Sequence, residues 1–161
     1  PQYLYGLVSS HLDAGYEPQY PFGHGLSYGR FVYSGISASR TEIPLGQSLT
    51  LRATVRNEGA VEAEEVVQLY VRDLVGQVTR PVRELEGFRR VRLAPGESRI
   101  VSFELSTEDL AFFGRDMLEI TEPGAFHAWI GGSSDAELQI GFKLTEPAGT
   151  APVAAEQAQP R

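Results

Sequence analysis

Leu49-Thr50-Leu51-Arg52-Ala53-Thr54-Val55-Arg56 alternates apolar and polar residues without a break. A period of two puts Leu49, Leu51, Ala53 and Val55 on one face of a strand and the Thr and Arg side chains on the other. Asn57-Glu58-Gly59 then supplies a turn. The pattern recurs downstream. Val67, Leu69 and Val71 alternate with Gln68, Tyr70 and Arg72, and Val101, Phe103 and Leu105 with Ser102 and Glu104. Phe126, Ala128 and Ile130 alternate with His127 and Trp129, and Leu138, Ile140, Phe142 and Leu144 close the series. Ala94-Pro95-Gly96-Glu97 and Glu122-Pro123-Gly124 read as turns, with Pro pre-set and Gly free to take positive φ. Parity fails once. Phe88 and Val91 are three apart, so both face inward only if a residue bulges near Arg89-Arg90. Ser106-Thr107-Glu108-Asp109-Leu110 opens one short helical turn with Ser106 or Thr107 as cap. Seven or eight short strands over residues 29–144 predict an all-β, two-sheet antiparallel sandwich.

Composition narrows the function classes. The 161 residues are 42% hydrophobic and 22% charged, an ordinary globular balance. The net charge of -7 opposes a nucleic-acid partner, because phosphate binding needs a basic field. No apolar run approaches the roughly 20 residues of a membrane helix, so no membrane partner is expected. The absence of cysteine rules out a disulfide scaffold, a thiol nucleophile and a zinc-thiolate site. His11, Asp13 and His24 lack metal-ligand spacing and read as ordinary hydrogen-bonding residues, so no metal and no cofactor is expected.

Texture divides the chain into three. Residues 1–28, rich in aromatics, Gly and Pro, read as a linker arm. Residues 29–144 carry the sandwich. Residues 145–161 hold five Ala and three Pro and little to bury, so they read as a disordered tail. The chain does not begin with Met and opens with neither a basic region nor a signal-type apolar core. It reads as a piece of a longer polypeptide, with any export signal upstream and the compartment open.

Several blocks carry a resemblance. Gln19-Tyr20-Pro21-Phe22-Gly23-His24-Gly25-Leu26-Ser27-Tyr28 resembles the L-Y-P-F-G-Y-G-L-S-Y segment of family 3 glycoside hydrolases, the β-glucosidase and β-xylosidase family. Glu65-Val66-Val67-Gln68-Leu69-Tyr70-Val71-Arg72-Asp73 resembles that family's EVVQLYVRD, and the stretch from Arg80 to Phe88 its RPVKELKGF. Leu93-Ala94-Pro95-Gly96-Glu97-Ser98, Glu122-Pro123-Gly124-Ala125-Phe126 and Ile130-Gly131-Gly132-Ser133-Ser134 are similar to further family blocks. His24 and Gly29 depart from the family's usual Tyr and Thr.

The resemblance is to the C-terminal fibronectin type III-like domain of such enzymes, with its preceding linker. It implies an immunoglobulin-like sandwich and, for the parent, retaining hydrolysis of terminal β-linked sugars without a cofactor. The implied partners are an α/β-sandwich domain and a TIM-like barrel upstream, and carbohydrate would be met only through them. The nucleophilic Asp and acid/base Glu of the family belong to those upstream parts. No catalytic residue carries over, and the chain alone is expected to be inactive.

The remaining candidates are read residue by residue. Gly23-His24-Gly25 lacks the strand and helix of a phosphate loop, and its glycines allow a tight path between aromatics. The acids, including Glu62, Glu64, Glu65, Glu97, Glu104 and Glu137, read as solvated surface charge. Arg80, Arg83, Arg89, Arg90 and Arg92 read either as salt-bridged sheet surface or as a docking patch for an acidic face. Six of the seven Tyr, with Phe22 and Phe31, fall in the first 33 residues. Large amphipathic rings in an irregular segment rest on some other surface. Docking on an upstream domain, packing within this domain and stacking on sugar are the three readings.

Parity places Trp129 on the outside, where a sugar, a domain interface or neighbouring side chains could cover its ring. The residues expected at an interdomain contact are Tyr16, Tyr20, Phe22, His24, Leu26, Tyr28, Arg80, Arg83 and Trp129, with loop 73–84 leaning toward the active-site side. The alternative function is a carbohydrate-binding sandwich using exposed aromatics. An adhesion-type module is the third.

Overall fold

The computed structural model describes residues 18–147. Tyr16, the start of the arm and most of the expected tail lie outside the described residues. The elements are β1 (Phe31–Ala38), β2 (Glu42–Pro44), β3 (Ser48–Asn57), β4 (Ala63–Asp73), β5 (Glu84–Leu93) and β6 (Ser98–Ser106). One 3-10 turn (Glu108–Leu110) follows, then β7 (Phe112–Phe113), β8 (Glu119–Ile120), β9 (Gly124–Gly131) and β10 (Gln139–Thr145). One sheet has the order β1-β3-β6, and the facing sheet β2-β10-β9-β4-β5. β7 and β8 form a separate two-stranded ribbon. All pairings are antiparallel except β2 with β10, which run parallel. Among the described residues no helix is long and apolar enough to cross a membrane.

The alternating strands bury the expected faces. Leu49, Leu51, Ala53 and Val55 of β3 and Val101, Phe103 and Leu105 of β6 face Val67, Leu69, Val71, Phe126, Ala128, Ile130, Phe142 and Leu144. Each Val, Leu, Ile and Phe among them contributes about 1.5–3 kcal/mol on burial. Phe126 and Phe142 stack at 5.4 Å. The result is an immunoglobulin-like β-sandwich.

Three local expectations are corrected. Phe31 and Tyr33 belong to β1 and pack against the core, not to an unpartnered arm. Gly35, at φ +64, lies in the register shift between Ser34 and Ser37, which turns Ile36 and Ala38 inward as well. The β5 bulge sits at Glu86, not near Arg89-Arg90: Leu69 pairs with Gly87 and Tyr70 with Leu85. Phe88 therefore keeps the outer face and is exposed. Thr107 sits at the cap position of the 3-10 turn without capping it. Its hydroxyl accepts from the Gly46 amide (2.8 Å), while Ser106 Oγ accepts from the Glu108 amide (3.2 Å) and the Asp109 carboxylate from the Ser106 amide (2.8 Å).

Asn57 closes one end of the core and is fully buried. Its amide nitrogen donates to the Val61 (2.8 Å) and Leu93 (3.0 Å) carbonyls, tying β3 to the end of β5 in the other sheet. Its side-chain oxygen accepts from the Gly59 amide (2.8 Å). Asn57→Ala leaves these three groups unpaired, and chemical denaturation should show a loss of about 2–4 kcal/mol.

Glu86 is half-buried at the bulge. Burial, then the Glu84 and Asp109 carboxylates, push its carboxyl up to about 7, against the pull of Arg80. An acid whose folded-state pKa is raised favours folding below about pH 4.5 and loses that contribution as pH climbs toward 7. Glu86→Gln should therefore flatten the stability profile between those limits. It should be more stable than the parent at pH 8 by about 1–2 kcal/mol, allowing for solvent screening.

Candidate functional site

The outer face of β4 is where the arm meets the sandwich. Gln68 and Tyr70 point away from the core yet are buried. Gln68 Nε2 donates to the carbonyls of Gly23 (3.0 Å) and Gly132 (2.7 Å). The Tyr70 hydroxyl donates to Gln68 Oε1 at 2.5 Å and lies 3.3 Å from the Phe22 carbonyl. That carbonyl also accepts from the Ser134 amide at 2.8 Å. Two adjacent residues of the arm are thus clamped by three groups from β4 and the loop after β9.

Gly23 makes the approach possible. Its φ is +78, and a Cβ there would stand 2.1 Å from Gln68 Oε1 and 2.4 Å from the Tyr70 hydroxyl. Both the backbone conformation and the space require glycine. The turn closes with the His24 amide donating to the Pro21 carbonyl (3.0 Å). Gly23 does allow a tight path between aromatics, whereas a Cβ on Gly25 would meet nothing within 4 Å.

With the backbone held down, the arm's side chains turn outward. The Phe22 ring meets Tyr70 edge-on at 6.5 Å but stays 68% exposed. Tyr20 stacks on His24 at 5.0 Å and remains exposed. Leu26 is 95% and Tyr28 98% exposed. These four large apolar side chains share one short stretch and find little cover in the sandwich.

The arginines behave differently from the rings. The Arg83 guanidinium lies over Trp129, 4.2 Å from its centroid, and donates to the carbonyls of Ser134 and Ala136. Its pKa is lowered, chiefly by burial. Trp129 faces outward as parity requires but is only 6% exposed, roofed by Arg83 and met edge-on by His127. It therefore offers no open ring face.

Arg80 sits elsewhere, over Phe112 at 4.8 Å, paired with Glu84 (2.5 Å) and donating to the Leu110 carbonyl (3.3 Å). Loop 73–84 is further pinned by Gln77, which donates to the Glu122 carboxylate, and by Arg115, which donates to the Gln77 carbonyl. Arg90 pairs with Glu64, and Arg92 with Glu62 and Glu64. Arg83 thus joins the arm region, whereas Arg80 braces the far end of β4.

Three acids depart from the solvated reading. Glu86 is one, and Asp73, buried beside Arg80 at 3.8 Å, is another. Glu65 is the third: it points inward at the end of β4 and accepts a hydrogen bond from Tyr33 of the facing sheet at 2.6 Å. Burial raises its pKa, and the Tyr33 hydrogen bond partly offsets this. Among the described residues no group of three or more His, Asp or Glu side chains could hold a metal ion.

These features define the class of the module: an immunoglobulin-like sandwich that clamps an aromatic arm across its outer face. Residues 65–134 match the model of the fibronectin type III-like domain family. The chain belongs to the fibronectin type III-like domains of family 3 glycoside hydrolases, the β-glucosidases and β-xylosidases. It is 43% identical over 127 residues to a putative β-xylosidase of Formosa agariphila, covering 79% of this chain and 17% of that protein. It is 37% identical over 137 residues to a periplasmic β-glucosidase of Salmonella typhimurium, covering 85% of this chain and 18% of that one. A Listeria innocua β-glucosidase solved with glucose superposes with a TM-score of 0.78 at 34% identity, over 86% of this chain and 19% of that structure. The chain thus spans under a fifth of the length of these relatives.

Gly23→Ala should break the clamp while leaving the sandwich folded. Hydrogen exchange should show the Ser134 amide losing protection equivalent to about 2 kcal/mol, with the β3 and β6 amides unchanged.

Proposed function

We propose that this chain is a non-catalytic bracing module of a β-glucosidase- or β-xylosidase-type hydrolase. Its arm grips the α/β-sandwich and barrel domains that precede it in the parent polypeptide, and carbohydrate is met only by those domains. The observation that carries the reading is the contrast at residues 22–28. The backbone of Phe22 and Gly23 is clamped, while Leu26 and Tyr28 stand almost wholly in water. A segment held in register and studded with bare apolar side chains suits a partner that covers them. The small share of each hydrolase that the chain matches supports the same reading. Tyr20, Phe22, His24, Leu26 and Tyr28 are the docking residues proposed, with Arg83 positioning the loop beneath them. Bracing matters to catalysis because a displacement of about 1 Å can cost on the order of 100-fold in rate.

The carbohydrate-binding alternative loses its strongest ring, since Arg83 covers Trp129. Cello-oligosaccharides are expected to leave the Trp129 fluorescence unquenched.

The test compares one double variant in two settings. Leu26→Ser with Tyr28→Ser should leave the stability of the isolated chain within about 0.5 kcal/mol, because both side chains are exposed. In the parent polypeptide the same pair should lower the stability of the domain contact by about 2–4 kcal/mol and reduce activity on an aryl β-glucoside. Equal, small effects in both settings would overturn the docking reading.

A further inference from the structure

A cleft of about 350 Å³ opens between the arm and the end of the sandwich, lined by His24, Leu26, Phe31, Tyr33, Glu65 and Gly132 among others. Its floor carries a carboxylate with unspent acceptor capacity. Glu65 Oε1 accepts from Tyr33, and Glu65 Oε2 has no hydrogen-bond partner among the described residues. Oε2 is not one of the enclosed unpartnered atoms, so it keeps access to solvent. Among the described residues Glu65 joins no ion pair, although its neighbour Glu64 is matched by both Arg90 and Arg92. Residues 1–17 contain no Lys or Arg, and residues 148–161 hold one, Arg161. Burial disfavours the charge of Glu65, and among the described residues no nearby cation offsets this. A half-buried carboxylate left in that state is stabilised by a charge-assisted partner.

The cleft's walls narrow the chemistry. Phe31 and Tyr33 line it with aromatic rings that also pack against the core, and the space beside Gly25 is open. Gly132 lets the carboxylate approach its backbone closely, since a Cβ there would meet Glu65 Oε1 at 2.6 Å. A slot with a carboxylate at its base and aromatic sides suits a flat cation, which can stack while it hydrogen-bonds. We propose that this cleft is the socket for an arginine side chain from the surface on which the arm docks, with Glu65 as the counter-ion. The proposal rests on the docking reading and adds a polar key to its apolar strap. An apolar contact supplies affinity, whereas a single desolvated charge pair fixes which partner and which register are accepted.

The socket can be probed in the isolated chain with ethylguanidinium, followed by amide chemical shifts at neutral pH. Saturable shifts at Gly25, Tyr33 and Gly132 are expected. Binding should weaken at least ~10-fold in Glu65→Gln, which keeps an acceptor for Tyr33, and persist in Glu64→Gln. Neutral N-ethylurea, of the same shape, should produce no saturable shift in the unaltered chain, which keeps the test valid if the Gln variant fails to fold. Unsaturable shifts, shifts retained in Glu65→Gln, or equal binding of N-ethylurea would each overturn the socket. Those outcomes leave the docking reading standing, because that reading falls only with the Leu26 and Tyr28 double variant.

Discussion

Two buried side chains on the wrong face of a strand set what the arm can do. Gln68 and Tyr70 point away from the core of the sandwich, and a buried amide and phenol must find hydrogen-bond partners. The Gln68 amide donates to the main-chain carbonyls of Gly23 and Gly132, and the Tyr70 hydroxyl donates to Gln68 Oε1 with the Phe22 carbonyl 3.3 Å away. Because backbone groups satisfy them, the arm is registered to a single residue and its side chains are left free. A strap held through its side chains would have spent its rings on its own domain. This one is held through its backbone and presents them outward.

Arginine does the complementary work around the rim. Arg83 roofs Trp129 and gathers the carbonyls of the loop after β9, while Arg80 lies over Phe112 and ties loop 73–84 to Glu84. A guanidinium can stack and donate in several directions at once, which suits it to holding irregular loops on an aromatic floor. Both cations are committed to contacts inside the module. Glu65 and Glu86, whose carboxyls burial pushes up, lie half-buried at other points.

The alternation of Leu49 to Val55 was enough to read a sandwich, and so were the strands around Val67, Phe103, Phe126 and Phe142. Strand β1 hid because Gly35 breaks its parity: Phe31 and Tyr33 face inward, and so do Ile36 and Ala38, an odd number of residues away. Periodicity has no way to show a bulge whose extra residue is itself a glycine. The Glu86 bulge was misplaced for a related reason, since Phe88 looked like a core residue and is in fact a surface one. The clamp was less legible still. Gln68 and Tyr70 occupy the positions that polar residues take on a solvated face, and only the run of five buried residues, Val67 to Val71, betrays cover on both sides. That cover comes from residues more than 40 positions away. The exposure of the arm's rings, by contrast, followed from their lack of any periodic companion.

The larger sheet is finished differently at its two borders. Along β10 the short strand β2 runs parallel and occupies the pairing groups, while β5 at the opposite border carries a bulge and the arginines 89, 90 and 92. Capped on one side and kinked and charged on the other, the sheet offers few sites where a foreign strand could add. The consequence is insulation: strand exchange with any other chain is disfavoured at both borders of the larger sheet.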